Sequence, residues 1–253
     1  VDCAWNPPSE NTQLSDHEVH IWCVCLPAWF ASCQQLLDWL TADEQARASR
    51  FRFEKHRQSF IVGRGLLRVI LGRYLSLEPS QLQFSYNAHG KPSLAETFGN
   101  EAMQFNVSHS HEVALYAFTR DRRIGIDVEH IRPVPDADHI VERFFSDRES
   151  ALFQSLAIDC KEAAFFRGWT QKEAYLKAIG EGLAYPLRNV EVSLSPHGPA
   201  QLLSIENDPE AAHQWYFQDL QPVPHYMAAL AVEQRPNEVS MQPQCFYLRP
   251  GGC

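Results

Sequence analysis

Three segments of this 253-residue chain carry residues whose types and spacing could do chemistry. They are Phe105-Asn106-Val107-Ser108-His109-Ser110, Gly125-Ile126-Asp127-Val128-Glu129, and Trp169-Thr170-Gln171-Lys172-Glu173-Ala174-Tyr175-Leu176-Lys177. The second reads as a short strand. Side chains two apart on a strand share a face, so Asp127 and Glu129 present two carboxylates side by side while Ile126 and Val128 face away. The third reads as a helix, with Glu173 and Lys177 one turn apart. Mg²⁺ takes a few carboxylates, retained waters and substrate phosphate oxygens. Asp127, Glu129 and Glu173, with Lys177 beside them and His109 nearby, would therefore make a Mg²⁺ and phosphate site. The chemistry indicated is chemistry on a pyrophosphate.

Each feature also has a plain structural explanation. A bare Asp-x-Glu is more often a solvated strand face. Glu and Lys four apart are more often a helix-surface ion pair worth ~0.2–0.5 kcal/mol. Their company argues otherwise. Phe165, Trp169, Leu176 and Ile179 recur at 100° per residue as an apolar stripe, and Glu173 and Lys177 lie on its border. A charge half-desolvated there needs a partner or a task. Glu173 supplies the third carboxylate, and Lys177 suits a phosphate oxygen as a point charge. Ser108 and His109 suit anion binding. His109 and His111 find no third metal ligand at a convincing spacing.

Basic residues concentrate upstream: Arg47, Arg50, Arg52, Lys55, Arg57, Arg64, Arg68 and Arg73 are eight of the chain's 22 Lys and Arg. Several serve solubility on exposed helix faces. Such local density in a chain of net charge −9 nonetheless suits a phosphate-rich ligand. The turn Gly90-Lys91-Pro92 would hold Lys91 against it. The net acidity argues against a nucleic-acid partner.

The elements that must position these groups follow from periodicity and turn chemistry. Residues 1–16 read as a loose arm and 17–26 as a strand. Residues 31–50 and 55–76 read as helices. Residues 82–86 and 103–107 read as strands around the turn 87–92, and 112–119 and 123–129 as further strands. Ser146-Asp147-Arg148-Glu149 reads as a capping box that starts a helix. A long helix runs from about residue 160 to Gly180, which reads as its C-cap. Strands at 189–195, 201–206, 213–219 and 225–233 precede a polar tail over 234–253. The expectation is an α+β fold of two similar α/β lobes, 1–120 and 121–253, each a small sheet packed on a long helix.

No apolar run reaches the ~20 residues of a membrane span, and Val1 to Trp5 lack the basic flank and apolar core of a signal peptide. Seven Cys without framework spacing point to a reducing, cytoplasmic setting.

Taken in order, Gly-Lys-Pro (90–92), Phe-Asn-Val-Ser-His-Ser (105–110), Gly-Ile-Asp-Val-Glu (125–129), Phe-Phe-Ser (144–146) and the 169–177 segment resemble the 4′-phosphopantetheinyl transferases. The likeness is to the monomeric surfactin-synthetase-activating type and spans roughly residues 40–185. It implies two lobes related by a pseudo-twofold axis with coenzyme A between them. It implies transfer of the phosphopantetheine arm to a serine of an acyl or peptidyl carrier protein, with release of 3′,5′-ADP. By that resemblance Asp127, Glu129 and Glu173 would hold Mg²⁺, and Lys177 would contact the phosphates. Ser108 and His109 would bind phosphate, and Lys91 would lie beside the nucleotide end. Arg47, with Arg64 or Arg68 or both, would hold the 3′-phosphate side. Glu173 is the expected base for the serine proton, with a metal-bound hydroxide as its competitor. The acidic carrier is expected to dock around Arg143, Phe144, Phe145 and Arg148. A monomer acting without nucleic acid or membrane is expected. The rival classes are a non-catalytic coenzyme A or carrier-protein binding module and a metal-dependent phosphohydrolase.

Overall fold

The computed structural model describes residues 4–9, 12–98, 103–195, 198–235 and 241–251. Along the chain, β1 (Trp5–Asn6) and β2 (His20–Cys25) precede α1 (Cys33–Asp38), α2 (Ala42–Ser49) and α3 (Glu54–Leu75). A small hairpin, β3 (Phe84–Tyr86) and β4 (Pro92–Leu94), leads into β5 (Gln104–Ser110), β6 (Val113–Thr119) and β7 (Ile124–His130). Helices α4 (Ala137–Phe144), α5 (Asp147–Ser155) and α6 (Ile158–Ile179) follow. The chain then forms β8 (Val190–Val192), β9 (Leu202–Ile205), α7 (Pro209–Ala212), β10 (Trp215–Leu220), β11 (Tyr226–Glu233) and β12 (Gln244–Tyr247). The fold is α+β. A five-stranded sheet runs β1-β12-β2-β6-β5, a three-stranded sheet runs β10-β11-β7, and two two-stranded ribbons complete it.

Strand parity explains how the layers stack. On β2 and β6, Trp22, Val24, Tyr116 and Phe118 join the cluster built on α1 and α3. Their neighbours Ile21, Cys23, Leu115 and Ala117 point the other way, onto Ile126, Val128, Ala228 and Leu230 of the second sheet. The opposite face of that sheet, with Phe217, Ala229 and Ala231, packs on α6. Both sheets are thus covered on both faces, which is why β6, Val-Ala-Leu-Tyr-Ala-Phe-Thr, is buried at every position instead of alternating.

Several sequence expectations change here. The helix expected over 31–50 is two helices: Thr41 is extended and forms a capping box with Glu44 that starts α2 afresh. The turn 87–92 joins β3 to β4, not to the strand at 103–107. The expected loose arm and polar tail both contain strands. β12 inserts between β1 and β2, parallel to each, because Cys245, Phe246 and Leu248 carry apolar surface that the core buries. The chain's last strand therefore belongs to the first sheet. Helix α4 was not foreseen. The capping box is as expected: the Ser146 amide donates to Glu149 Oε2 at 2.6 Å, and the Glu149 amide donates to Ser146 Oγ at 3.2 Å. Gly180 caps α6 in the left-handed region, φ 78°.

Candidate functional site

Strands β5 and β7 are the adjoining edges of the two sheets and share no backbone ladder. Side chains join them instead. The amides of Ile126, Val128 and His130 donate to Asn106 Oδ1 at 3.0 Å, Ser108 Oγ at 3.2 Å and Ser110 Oγ at 3.2 Å. The two hydroxyls pass the contact on: Ser108 donates to Asp127 Oδ1 at 2.9 Å and Ser110 donates to Glu129 Oε2 at 2.8 Å. Alternation along both strands sets this geometry, since residues 106, 108 and 110 share one face and 127 and 129 another.

Helix α6 brings the remaining groups. It lies against β7 at Gly125, where an added Cβ would meet the Ala174 carbonyl oxygen at 1.9 Å and the Ala178 nitrogen at 2.4 Å. The glycine is therefore required by close approach, not by turn geometry. That approach places Lys177 Nζ 2.7 Å from Asp127 Oδ1 and 2.8 Å from Ser108 Oγ. Burial pushes the Asp127 carboxyl above its ordinary value, against the pull of the Lys177 ammonium and the Ser108 hydroxyl. Its second oxygen, Oδ2, is buried without a hydrogen-bond partner. Glu173 Oε1 is likewise buried and unpartnered. Burial first, then the negative charge of Asp127, raise the Glu173 pKa to about 7; Lys177 opposes the shift and Glu129 adds to it. His109 is exposed at the strand end. Crowding by protein atoms, followed by the Lys177 cation, holds its pKa below the ordinary value.

The expected carboxylates Asp127, Glu129 and Glu173 are thus assembled by β7 and α6, with Ser108, His109 and Lys177 beside them. Among the described residues, however, no three His, Cys, Asp or Glu side chains stand close enough to form a closed ligand set. The Lys177 ammonium supplies the positive charge at Asp127 in this conformation. The donor set still fits a hard divalent cation. The charge of Glu129 opposes ionisation of both Asp127 and Glu173, and two buried carboxylate oxygens lack donors, which a Mg²⁺ ion would satisfy.

The basic residues divide. Arg47 and Arg64 line a cavity of about 190 Å³ with Asp43, Glu44, Phe60 and Tyr86. The Arg64 guanidinium lies 5.1 Å from the Phe84 ring centre and 5.8 Å from that of Tyr86, and its Nη1 is buried without a partner. Arg68 does not belong with them. It is fully buried, donates twice to Glu44 Oε2 at 3.0 and 2.7 Å, and donates to the carbonyls of Pro79 and Leu82. With its donors satisfied inside the protein it is a core strut, and its assignment to a phosphate is corrected. Lys91 also differs from expectation. Its Nζ donates to the carbonyls of Ile124 at 3.2 Å and Ala178 at 2.9 Å, and burial lowers its pKa to about 8. It clasps the β3–β4 turn to β7 and α6 instead of projecting toward a ligand. Of the expected docking residues, Phe145 is core and Phe144 packs edge-on against Trp169, while Arg143 and Arg148 are exposed.

Sequence reasoning passed over Asn106 and Ser110. The signal was available: Asn-x-Ser-x-Ser puts three polar side chains on one face of an otherwise apolar strand. It also passed over Glu44, Phe84 and Tyr86, because nothing local shows that α2 and β3 meet across α3.

Residues 28–120 match the family described as 4′-phosphopantetheinyl transferase, N-terminal, and residues 123–231 match the 4′-phosphopantetheinyl transferase superfamily. The chain is similar to the 4′-phosphopantetheinyl transferase HetI of Nostoc sp. (strain PCC 7120), with 43% identity over 228 residues, 90% of this chain and 93% of HetI. It is similar to the 4′-phosphopantetheinyl transferase psf-1 of Bacillus pumilus, with 32% identity over 79% of this chain and 82% of psf-1. The human L-aminoadipate-semialdehyde dehydrogenase-phosphopantetheinyl transferase is 27% identical over 81% of this chain and 74% of its own length.

Proposed function

The chain belongs to the 4′-phosphopantetheinyl transferase superfamily and transfers phosphopantetheine from coenzyme A to carrier proteins; on that premise we propose that the reaction runs where β5, β7 and α6 meet. The observation that carries this reading is the pair of buried, unpartnered oxygens, Asp127 Oδ2 and Glu173 Oε1, standing beside the Lys177 ammonium. A carrier serine hydroxyl attacks the phosphorus that bears the pantetheine arm, and 3′,5′-ADP leaves. Glu173 takes the serine proton. In the metal-free site burial and the neighbouring carboxylates raise its pKa to about 7, which marks it as the more proton-seeking carboxyl of the site, and no protein donor competes for its Oε1.

Lys177 shifts from Asp127 toward a phosphate oxygen and offsets charge on the leaving group. Ser108 and His109 bind phosphate at the strand end. Asp127, Glu129 and Glu173 would hold Mg²⁺, which when bound neutralises charge across the pyrophosphate. Arg47 and Arg64, beside Tyr86, hold the 3′-phosphate side of coenzyme A. Arg143 and Arg148 remain the exposed cations for an acidic carrier. The proposal includes a monomer acting in the cytoplasm without nucleic acid; among the described residues no helix is long and apolar enough to cross a membrane.

The test is intact-mass measurement of apo-carrier proteins of fatty-acid, polyketide and peptide-synthetase type, incubated with the protein, coenzyme A and Mg²⁺. One phosphopantetheine should be added to at least one carrier. Release of phosphopantetheine into solution with no carrier modified would replace the transfer reading with hydrolysis.

A further inference from the structure

The geometry points to Ser110 as a positioning residue for the transfer, one that fixes the Glu129 carboxylate by tying it to the β7 backbone. This deepens the function proposed above and rests on it. Three rungs cross from β5 to β7 at a constant offset of twenty residues: Asn106 to the Ile126 amide, Ser108 to the Val128 amide and Ser110 to the His130 amide. At the first rung the residue that a hydroxyl would orient is Gly125, which has no side chain. At the second it is Asp127 and at the third Glu129.

Each serine thus accepts an amide hydrogen from one β7 residue and gives its own hydrogen to the carboxylate just before it. A hydroxyl has one hydrogen and can accept through its lone pairs, and at Ser110 that hydrogen goes to Glu129 Oε2 at 2.8 Å in preference to His111 Nδ1, 3.4 Å away. The result is a fixed carboxylate orientation set by backbone register, not by side-chain packing. Glu129 needs this more than Asp127 does. Asp127 is also held by Lys177 at 2.7 Å, whereas the other cation near Glu129 is Arg132, 3.3 Å away and half-exposed. Ser110 is 8% exposed, so its bond to Glu129 is shielded from competing water. Oε2 of Glu129 is taken by Ser110 and Arg132, which leaves Oε1 without a protein partner among the described residues.

Partners of metal-ligating carboxylates typically tune affinity by ten- to a hundredfold. Ser110→Ala should therefore weaken Mg²⁺ uptake by roughly tenfold or more in calorimetric titration with coenzyme A present. It should raise the Mg²⁺ concentration needed for half-maximal transfer by a similar factor, while kcat at saturating Mg²⁺ stays within a few-fold of wild type. Ser110→Thr keeps the hydroxyl and should restore most of the affinity. Should Ser110→Ala be recovered unfolded, Ser110→Cys fills the same space with a weak donor and carries the same expectation. Mg²⁺ affinity unchanged in the folded Ala or Cys variant, or lost equally in Ser110→Thr, overturns the assignment while leaving the function intact. A wild-type protein that takes up no Mg²⁺ in the presence of coenzyme A and modifies no carrier removes both.

Discussion

Asp127 on β7 and Glu173 on α6 each keep one buried oxygen that no protein donor reaches, and the negative charge of Asp127 is the second largest cause of the raised Glu173 pKa. Two carboxylates in that relationship store unfavourable free energy, and a cation or a proton relieves it.

Removing either carboxylate should stop the chemistry without unfolding the protein. Glu173→Gln is expected to lower transfer by 10²- to 10⁴-fold, the usual range for loss of a general base. Asp127→Ala should be at least as severe, because it also strands Lys177. Intact-mass time courses alongside thermal melts check this. Near-normal turnover in Glu173→Gln would remove it from the base role.

The Glu173 shift makes stability depend on pH in a definite direction. Its folded pKa of about 7 lies above the ordinary 4.5, so between those values the folded state binds the extra proton. Stability of the metal-free protein should fall as pH rises through that window. Urea unfolding in chelator at pH 5 and pH 7.5 should show a steeper loss in wild type than in Glu173→Gln. Parallel behaviour of the two proteins would place the titration elsewhere.

Gly125→Ala tests the close approach of α6. A methyl group 1.9 Å from the Ala174 carbonyl oxygen cannot be accommodated without moving backbone. Stability should drop by about 3 kcal/mol or more, and any folded fraction should lose transfer, because the displaced helix carries Glu173 and Lys177. Denaturant midpoints and transfer rates together measure this; a variant with wild-type values for both would refute the packing.

Arg64 and Arg68 sit one helical turn apart yet should behave differently. Arg68→Ala strips the partner from Glu44 Oε2 and leaves that buried carboxylate only the Arg64 guanidinium, 3.3 Å from Oε1; it weakens the α2–α3 contact, at a cost of about 3 kcal/mol. Arg64→Ala should fold and instead weaken coenzyme A binding. Calorimetry with coenzyme A and with its dephospho form separates them. The dephospho form should bind wild type and Arg64→Ala alike if Arg64 serves the 3′-phosphate.

The site was more legible than its supports. Strand period placed Asp127 and Glu129 on one face, and helix period placed Glu173 and Lys177 on one shoulder; both are local facts that survive into the fold. Arg68 was misassigned because period cannot tell a cation facing solvent from one that meets a buried Glu44 from another helix. The clasp made by Lys91 was illegible for a related reason: its carbonyl partners, Ile124 and Ala178, are 33 and 87 residues away. The terminal strand β12 escaped notice because its four residues gain their order only from β1 and β2 on either side.

By itself, then, the sequence determined the chemical groups, their facing within each element, and the family to which they point, because residue type and spacing act over one or two turns. The tertiary structure decided which elements share an edge. It set the side-chain rungs between β5 and β7, the glycine contact that admits α6, and the division of the arginines into a cavity lining and a core strut. Those outcomes depend on burial and on partners distant in sequence, and the free energy of a charge is settled by its surroundings, not by its place in the chain.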